Sequence, residues 1–138
     1  MSSFIFVDTS AWKAWIDRSD DYHSTVAQQF EHCRKNHLQL LTSDYVISET
    51  LTLLRMRRGL GHSIALQFGN IIFQSKLVQV IHIGSKLFQS AWKIFSGFED
   101  KEFSFVDCSS FALMEKNKIK KALSLDHHFT QYGFDLHL

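Results

Sequence analysis

The residues with most capacity for chemistry in this chain are four scattered carboxylates: Asp8, Glu49, Asp107 and Asp126. Asp8 ends the apolar run Phe4-Ile5-Phe6-Val7 and is followed by Thr9-Ser10. Glu49 falls in one helical row with Val46, Leu53 and Met56, beside the apolar Leu51 and Leu54. That spacing predicts a costly, buried glutamate unless something compensates its charge. Asp107 follows Phe103-Ser104-Phe105-Val106, and Asp126 lies between Leu123-Ser124-Leu125 and His127-His128. Carboxylates gathered without a cation repel one another and resist ionisation. A hard divalent ion removes that conflict, because Mg²⁺ and Mn²⁺ favour oxygen ligands and octahedral shells that retain waters.

Each acid also has a plain structural role open to it. A strand-tip aspartate such as Asp8 commonly forms a turn or a helix cap. Ser104-x-x-Asp107 has capping-box spacing. Asp126 can be an ordinary loop residue, and Glu49 can snorkel or pair with Arg55. What these separate roles do not explain is why four acids from distant parts of the chain should converge.

Convergence follows from the elements that must carry them. Phe4–Val7 reads as a buried strand, and Thr9 or Ser10 can cap a helix with Trp12, Trp15 and Ile16 on one face. Helical spacing recurs over 23–35, and 38–42 reads as a second strand. Ser43 or Asp44 then caps a helix from about Tyr45 to Arg58, closed by Gly59. A helix over 62–74, a strand over 77–81 and a helix over 85–95 follow. Ser104 starts a helix to about Lys118, 122–125 is a fourth strand, and 134–136 is a weak fifth. Alternating strands and helices predict an α/β sandwich with a mainly parallel sheet of four to five strands. In such sheets the strand C-termini and the N-termini of the following helices share one edge, where ligands bind. Asp8, Glu49, Asp107 and Asp126 all map to that edge.

Composition sets the frame. A chain of 138 residues with 45% hydrophobic content is sized for one domain, 1–138, with one substantial core. No apolar stretch approaches the roughly 20 residues of a membrane span. The N-terminus lacks a signal-peptide pattern, and two isolated cysteines, Cys33 and Cys108, fit a reducing compartment. A cytoplasmic protein without membrane contact is expected. A net charge of +1 neither demands nor excludes a polyanionic partner. Local cations, Arg55, Arg57 and Arg58 with His127 beside Asp126, are candidates for phosphate contacts. The lysines 116, 118, 120 and 121 are a further candidate cluster, and solvated helix ends explain both clusters equally well.

In order and spacing, Asp8-Thr9-Ser10, Ser48-Glu49-Thr50, Phe103-Ser104-Phe105-Val106-Asp107 and Ser124-Leu125-Asp126-His127-His128-Phe129 resemble a PIN domain. More narrowly, the chain is similar to the VapC-type ribonuclease toxins of bacteria and archaea, from about Phe4 to Asp135. The resemblance implies a three-layer α/β/α PIN-like fold. It places Asp8, Glu49, Asp107 and Asp126 in an acidic metal-binding quartet, with Ser10 and Ser124 as hydroxyls beside it. Ser124 stands where a threonine is often found. Asp100 matches a peripheral acidic position that capping or loop solvation explains as well. The implied activity is Mg²⁺- or Mn²⁺-dependent hydrolysis of RNA phosphodiester bonds by in-line attack of an activated water. In that scheme Asp8 and Asp107 are the direct ligands, while Glu49 and Asp126 ligate, orient water or assist proton transfer. The implied partners are RNA, a cognate antitoxin that covers the acidic cleft, and a second copy of the chain in a homodimer. The competing reading is a PIN-like module that holds RNA or protein without cutting. Phosphotransfer to Asp8 is disfavoured, since the haloacid-dehalogenase pattern needs an aspartate where Ser10 stands.

Overall fold

A computed structural model describes residues 3–56 and 60–137. The elements run β1 (Phe4–Val7), α1 (Thr9–Ile16), α2 (His23–Lys35), β2 (Gln39–Ser43), α3 (Asp44–Met56), α4 (Gly61–Gln74), β3 (Val78–Ile81), α5 (Ser85–Gly97), α6 (Phe105–Lys116), β4 (Lys121–Leu123), α7 (His128–Tyr132) and β5 (Asp135–Leu136). Every strand pairing in the sheet is parallel, in the order β3-β2-β1-β4-β5. The sheet is thus wholly parallel and five-stranded.

β1 is apolar on both faces because it lies at the middle of this sheet, and Ile5, Phe6 and Val7 are all buried. From β1 the chain steps to β2 and β3 on one side, then returns through α5 and α6 to β4 on the other. Right-handed crossovers put the helices of those two excursions on opposite faces, which makes three layers. The reversal falls between β1 and β4, so their C-terminal ends open a crevice at the topological switch point. Asp8 follows β1 directly, and Ser124 follows β4.

Packing fixes the end of β1. The buried Thr42 hydroxyl on β2 donates to the Val7 carbonyl at 2.9 Å and accepts from the Trp12 indole of α1 at 3.3 Å. Trp12 is itself fully buried, edge-on to Phe30 and Phe68. β1, β2 and α1 are therefore tied together one residue before Asp8.

Several boundaries differ from the sequence reading. Thr9 and Ser10 lie inside α1, and Asp8 occupies the N-cap position without a side-chain capping bond. Ser43 caps α3 by accepting from the Val46 amide at 3.1 Å. The expected end of that helix at Arg58 and Gly59 lies outside the described residues. A short helix, α7, occupies a stretch read as loop. The largest correction concerns α3. Its buried stripe is Val46, Ile47, Thr50 and Leu54, so Glu49, Leu53 and Met56 form an exposed row. The row expected from the 3-4-3 spacing is split: Val46 packs into the core, whereas Glu49, Leu53 and Met56 face outward along a groove shared with Tyr45, Ser48, Thr52 and Val106.

Candidate metal centre

Asp8 is 5% exposed at the tip of the central strand. Its Oδ2 accepts from the Ser124 hydroxyl at 3.1 Å and, more weakly, from the Ser10 hydroxyl at 3.5 Å. These two serines also bond each other at 3.3 Å. Ser10 Oγ accepts from the Leu125 amide at 2.9 Å, and Ser124 Oγ from the Asp126 amide at 3.0 Å. The pair of hydroxyls thus stitches the turn after β4 to the start of α1, and holds Asp8 against both.

Burial is the main reason the Asp8 carboxyl is pushed up from 3.8 to about 7. The negative charge of Asp107 raises it further and that of Glu49 adds to this, while the Thr9 amide and Ser124 hydroxyl oppose them. The electrostatic conflict expected of converging acids is therefore present.

Glu49 comes to the site from α3. Its Oε1 accepts from the Thr9 hydroxyl at 2.6 Å, a bond between residues forty positions apart. Since it lines an open groove, Glu49 needs no buried counter-charge, contrary to the sequence expectation.

Asp107 has both of the roles that the sequence left open. Ser104 and Asp107 form a complete capping box, with Asp107 N to Ser104 Oγ at 3.0 Å and Ser104 N to Asp107 Oδ2 at 3.1 Å. The same Oδ2 also meets His128 Nδ1 at 2.7 Å. Asp126 forms a tight turn, its Oδ1 accepting from the His128 amide at 3.0 Å, with His128 Nδ1 3.3 Å away. Donor atoms of Asp107, Asp126 and His128 all lie within 4.8 Å of one another.

The structure therefore gathers Asp8, Glu49, Asp107, Asp126, Ser10 and Ser124 at one sheet edge. Two residues next to these acids in sequence take contacts that the sequence did not reveal. Thr9, read as a cap beside the site, bonds Glu49, and His128, read as an RNA contact or loop residue beside Asp126, bridges two acids. The Asp-x-His spacing of an Asx turn was the signal available for His128. The cation candidates do not converge in the same way. Arg55 is exposed beside His62, with Nη1 and Nδ1 2.6 Å apart, and Arg57 and Arg58 lie outside the described residues. The exposed lysines 116, 118, 120 and 121 flank the N-terminal start of β4, at the opposite edge of the sheet from Asp8. His127 is exposed at the start of α7, next to Asp126.

Among the described residues, the donor atoms close enough to share one ion are those of Asp107, Asp126 and His128, with the buried Asp8 and the groove-lining Glu49 at the same edge, a donor set that fits a divalent cation. Comparison with known proteins agrees. A PIN-domain family model matches residues 5–135. Over 130 residues the chain is 36% identical to the Mycobacterium tuberculosis protein described as 23S rRNA-specific endonuclease VapC20, spanning 94% of this chain and 95% of that one. The crystal structure of Mycobacterium tuberculosis VapC20, described as a sarcin-ricin loop cleaving toxin, matches with TM-score 0.84 at 36% identity, covering 94% and 95% of the two chains. VapBC2 from Rickettsia felis, solved bound to a DNA fragment from their promoter, matches with TM-score 0.72 at 12% identity, covering 96% of each chain. At that identity the last likeness bears on the fold alone.

Proposed function

The chain belongs to the PIN-domain family, and from that premise we propose that it is a divalent-metal-dependent endoribonuclease, the toxin of a toxin–antitoxin pair. The observation that carries the reading is Asp8, buried, pushed up to about 7 and facing two further acids with no cation beside it among the described residues. Such a carboxylate is costly in isolation and useful as an ion ligand.

The residues divide the work by position. Asp8 at the end of β1 and Asp107 in the first turn of α6 offer oxygens, with Glu49 and Asp126 completing the set. These carboxylates would hold Mg²⁺ or Mn²⁺, which would supply Lewis acidity for water attack at phosphorus and for the departing oxygen. Ser124 and Ser10 hold the Asp8 carboxylate in one orientation. Thr9 holds one oxygen of Glu49, whose row on α3 lines the open groove where an RNA strand can lie. Glu49 and Asp126 would ligate the ion, orient its water or assist proton transfer.

The relative's described action makes the sarcin-ricin loop of 23S rRNA the first substrate to test. Support for protein partners, an antitoxin over the acidic cleft and a second copy of the chain, comes from exposed apolar surface. On α5, Trp92 and Phe95 stack at 6.0 Å with the exposed Phe88 on the same helix. Two free, buried thiols and the absence of any membrane-crossing helix among the described residues support a cytoplasmic setting.

The deciding experiment incubates the purified protein with ribosomes and with total RNA, with and without Mg²⁺ or Mn²⁺, and maps new 5′ ends. Metal-dependent cuts that vanish in Asp8→Asn are the expected result. RNA retained uncut over long incubation returns the chain to the class of binding modules. Cuts undiminished in Asp8→Asn place the activity elsewhere.

A further inference from the structure

The acidic quartet leaves one nitrogen donor at the site outside it, a histidine that the sequence offers as an RNA contact or a loop residue. His128 Nδ1 is 2.7 Å from Asp107 Oδ2 and 3.3 Å from Asp126 Oδ1. Neighbouring ligands on an octahedral ion with bonds of about 2.1 Å stand about 3 Å apart, so both contacts to His128 Nδ1 have the spacing of adjacent ligands, and all three donor atoms lie within 4.8 Å of one another. Asp107 Oδ1 and Asp126 Oδ2 have no hydrogen bond among the described residues, so each carboxylate keeps a free oxygen. His128 is held at backbone and ring: its amide donates to Asp126, and the buried Phe103 ring meets the imidazole edge-on at 5.6 Å.

We infer that His128 is a metal ligand, so that Asp107, Asp126 and His128 form a mixed oxygen–nitrogen site. The inference rests on the ion-dependent reading above and sharpens it, because a nitrogen donor changes which ion is preferred. Imidazole suits transition ions, whereas Mg²⁺ favours oxygen and water and gains little from nitrogen. The consequence is selectivity for Mn²⁺ over Mg²⁺, set by one residue outside the acidic quartet. His127, one position earlier, is exposed and points to no such cluster.

The test uses the full chain loaded with Mn²⁺ at mildly alkaline pH, where histidine ligands are neutral. Pulsed electron paramagnetic resonance reads ¹⁴N coupling from a directly bound imidazole. Coupling is expected in wild type and in His127→Asn, and is lost in His128→Asn. By calorimetry, His128→Asn lowers Mn²⁺ affinity by about tenfold or more, with Mg²⁺ affinity changed much less. The wild-type spectrum decides the matter even if the variant folds poorly. Bound Mn²⁺ without ¹⁴N coupling overturns the ligand assignment and leaves the acidic site standing, with His128 a hydrogen-bonded clamp. Equal losses of Mn²⁺ and Mg²⁺ affinity overturn the selectivity. Failure of wild type to bind Mn²⁺ at all overturns the ion-dependent reading and this inference together.

Discussion

Asp8 connects stability with function through one proton. Its carboxyl is raised from 3.8 to about 7 by burial and by the charges of Asp107 and Glu49. Below about pH 4 both folded and unfolded chains hold that proton, and the residue costs nothing. Between about pH 4 and pH 7 the unfolded chain releases it while the metal-free fold retains it, so stability falls as pH rises. Above pH 7 the loss is complete. Asp8→Asn removes it, and thermal melts in chelator at about pH 8 should show the variant more stable than wild type by roughly 1–4 kcal/mol. The gap should close near pH 4. Added Mn²⁺ should raise the melting temperature of wild type far more than that of Asp8→Asn. Ser124 acts one bond further out, donating to Asp8 and accepting from the Asp126 amide. Ser124→Ala should lower kcat by about 10- to 100-fold at a stability change of about 1 kcal/mol. Ser124→Thr, which keeps the hydroxyl, should restore cleavage in single-turnover assays.

At the scale of elements, α6 begins where chemistry and helix capping share an atom. Ser104→Ala removes the side-chain acceptor for the Asp107 amide and should destabilise the fold by about 1 kcal/mol in urea titrations. It should also lower ion affinity, since Asp107 loses half of the box that orients it. That box was readable in Ser104-x-x-Asp107, as β1 was readable in an apolar run with no polar alternation. The local periodicity of α2 and the strand–helix alternation were equally plain. Three features were not readable, each for a physical reason. The 3-4-3 row of Glu49 straddles the boundary of the helix face, with Val46 buried and the other three exposed, and only packing decides where that boundary falls. A helix as short as α7 leaves no periodicity to detect, which hid the placement of His128. Thr9 bonds a residue forty positions away, and a contact that distant has no signature in neighbouring residues.

Across the whole molecule, the four acids of the site and one lysine cluster lie at opposite edges. Asp8, Glu49, Asp107 and Asp126 are at the C-terminal edge of the sheet, whereas the exposed lysines 116, 118, 120 and 121 sit around the other, where Glu115 and Asp135 accompany them. Because those lysines are remote from the crevice, the combined Lys116→Ala and Lys120→Ala variant should cleave RNA at essentially the wild-type rate. A large loss would mean that the substrate wraps around to the far edge. The shared Oδ2 of Asp107, bound at once by the Ser104 amide and the His128 ring, has a consequence for genetics. Where expressing the chain arrests growth, a screen for survivors collects lesions of two kinds, those that stop turnover and those that deplete the protein. At Asp8 the two separate, because the disarmed chain should be the sturdier one. At Asp107 they merge, and a silent allele there says nothing about which was lost until its abundance is measured.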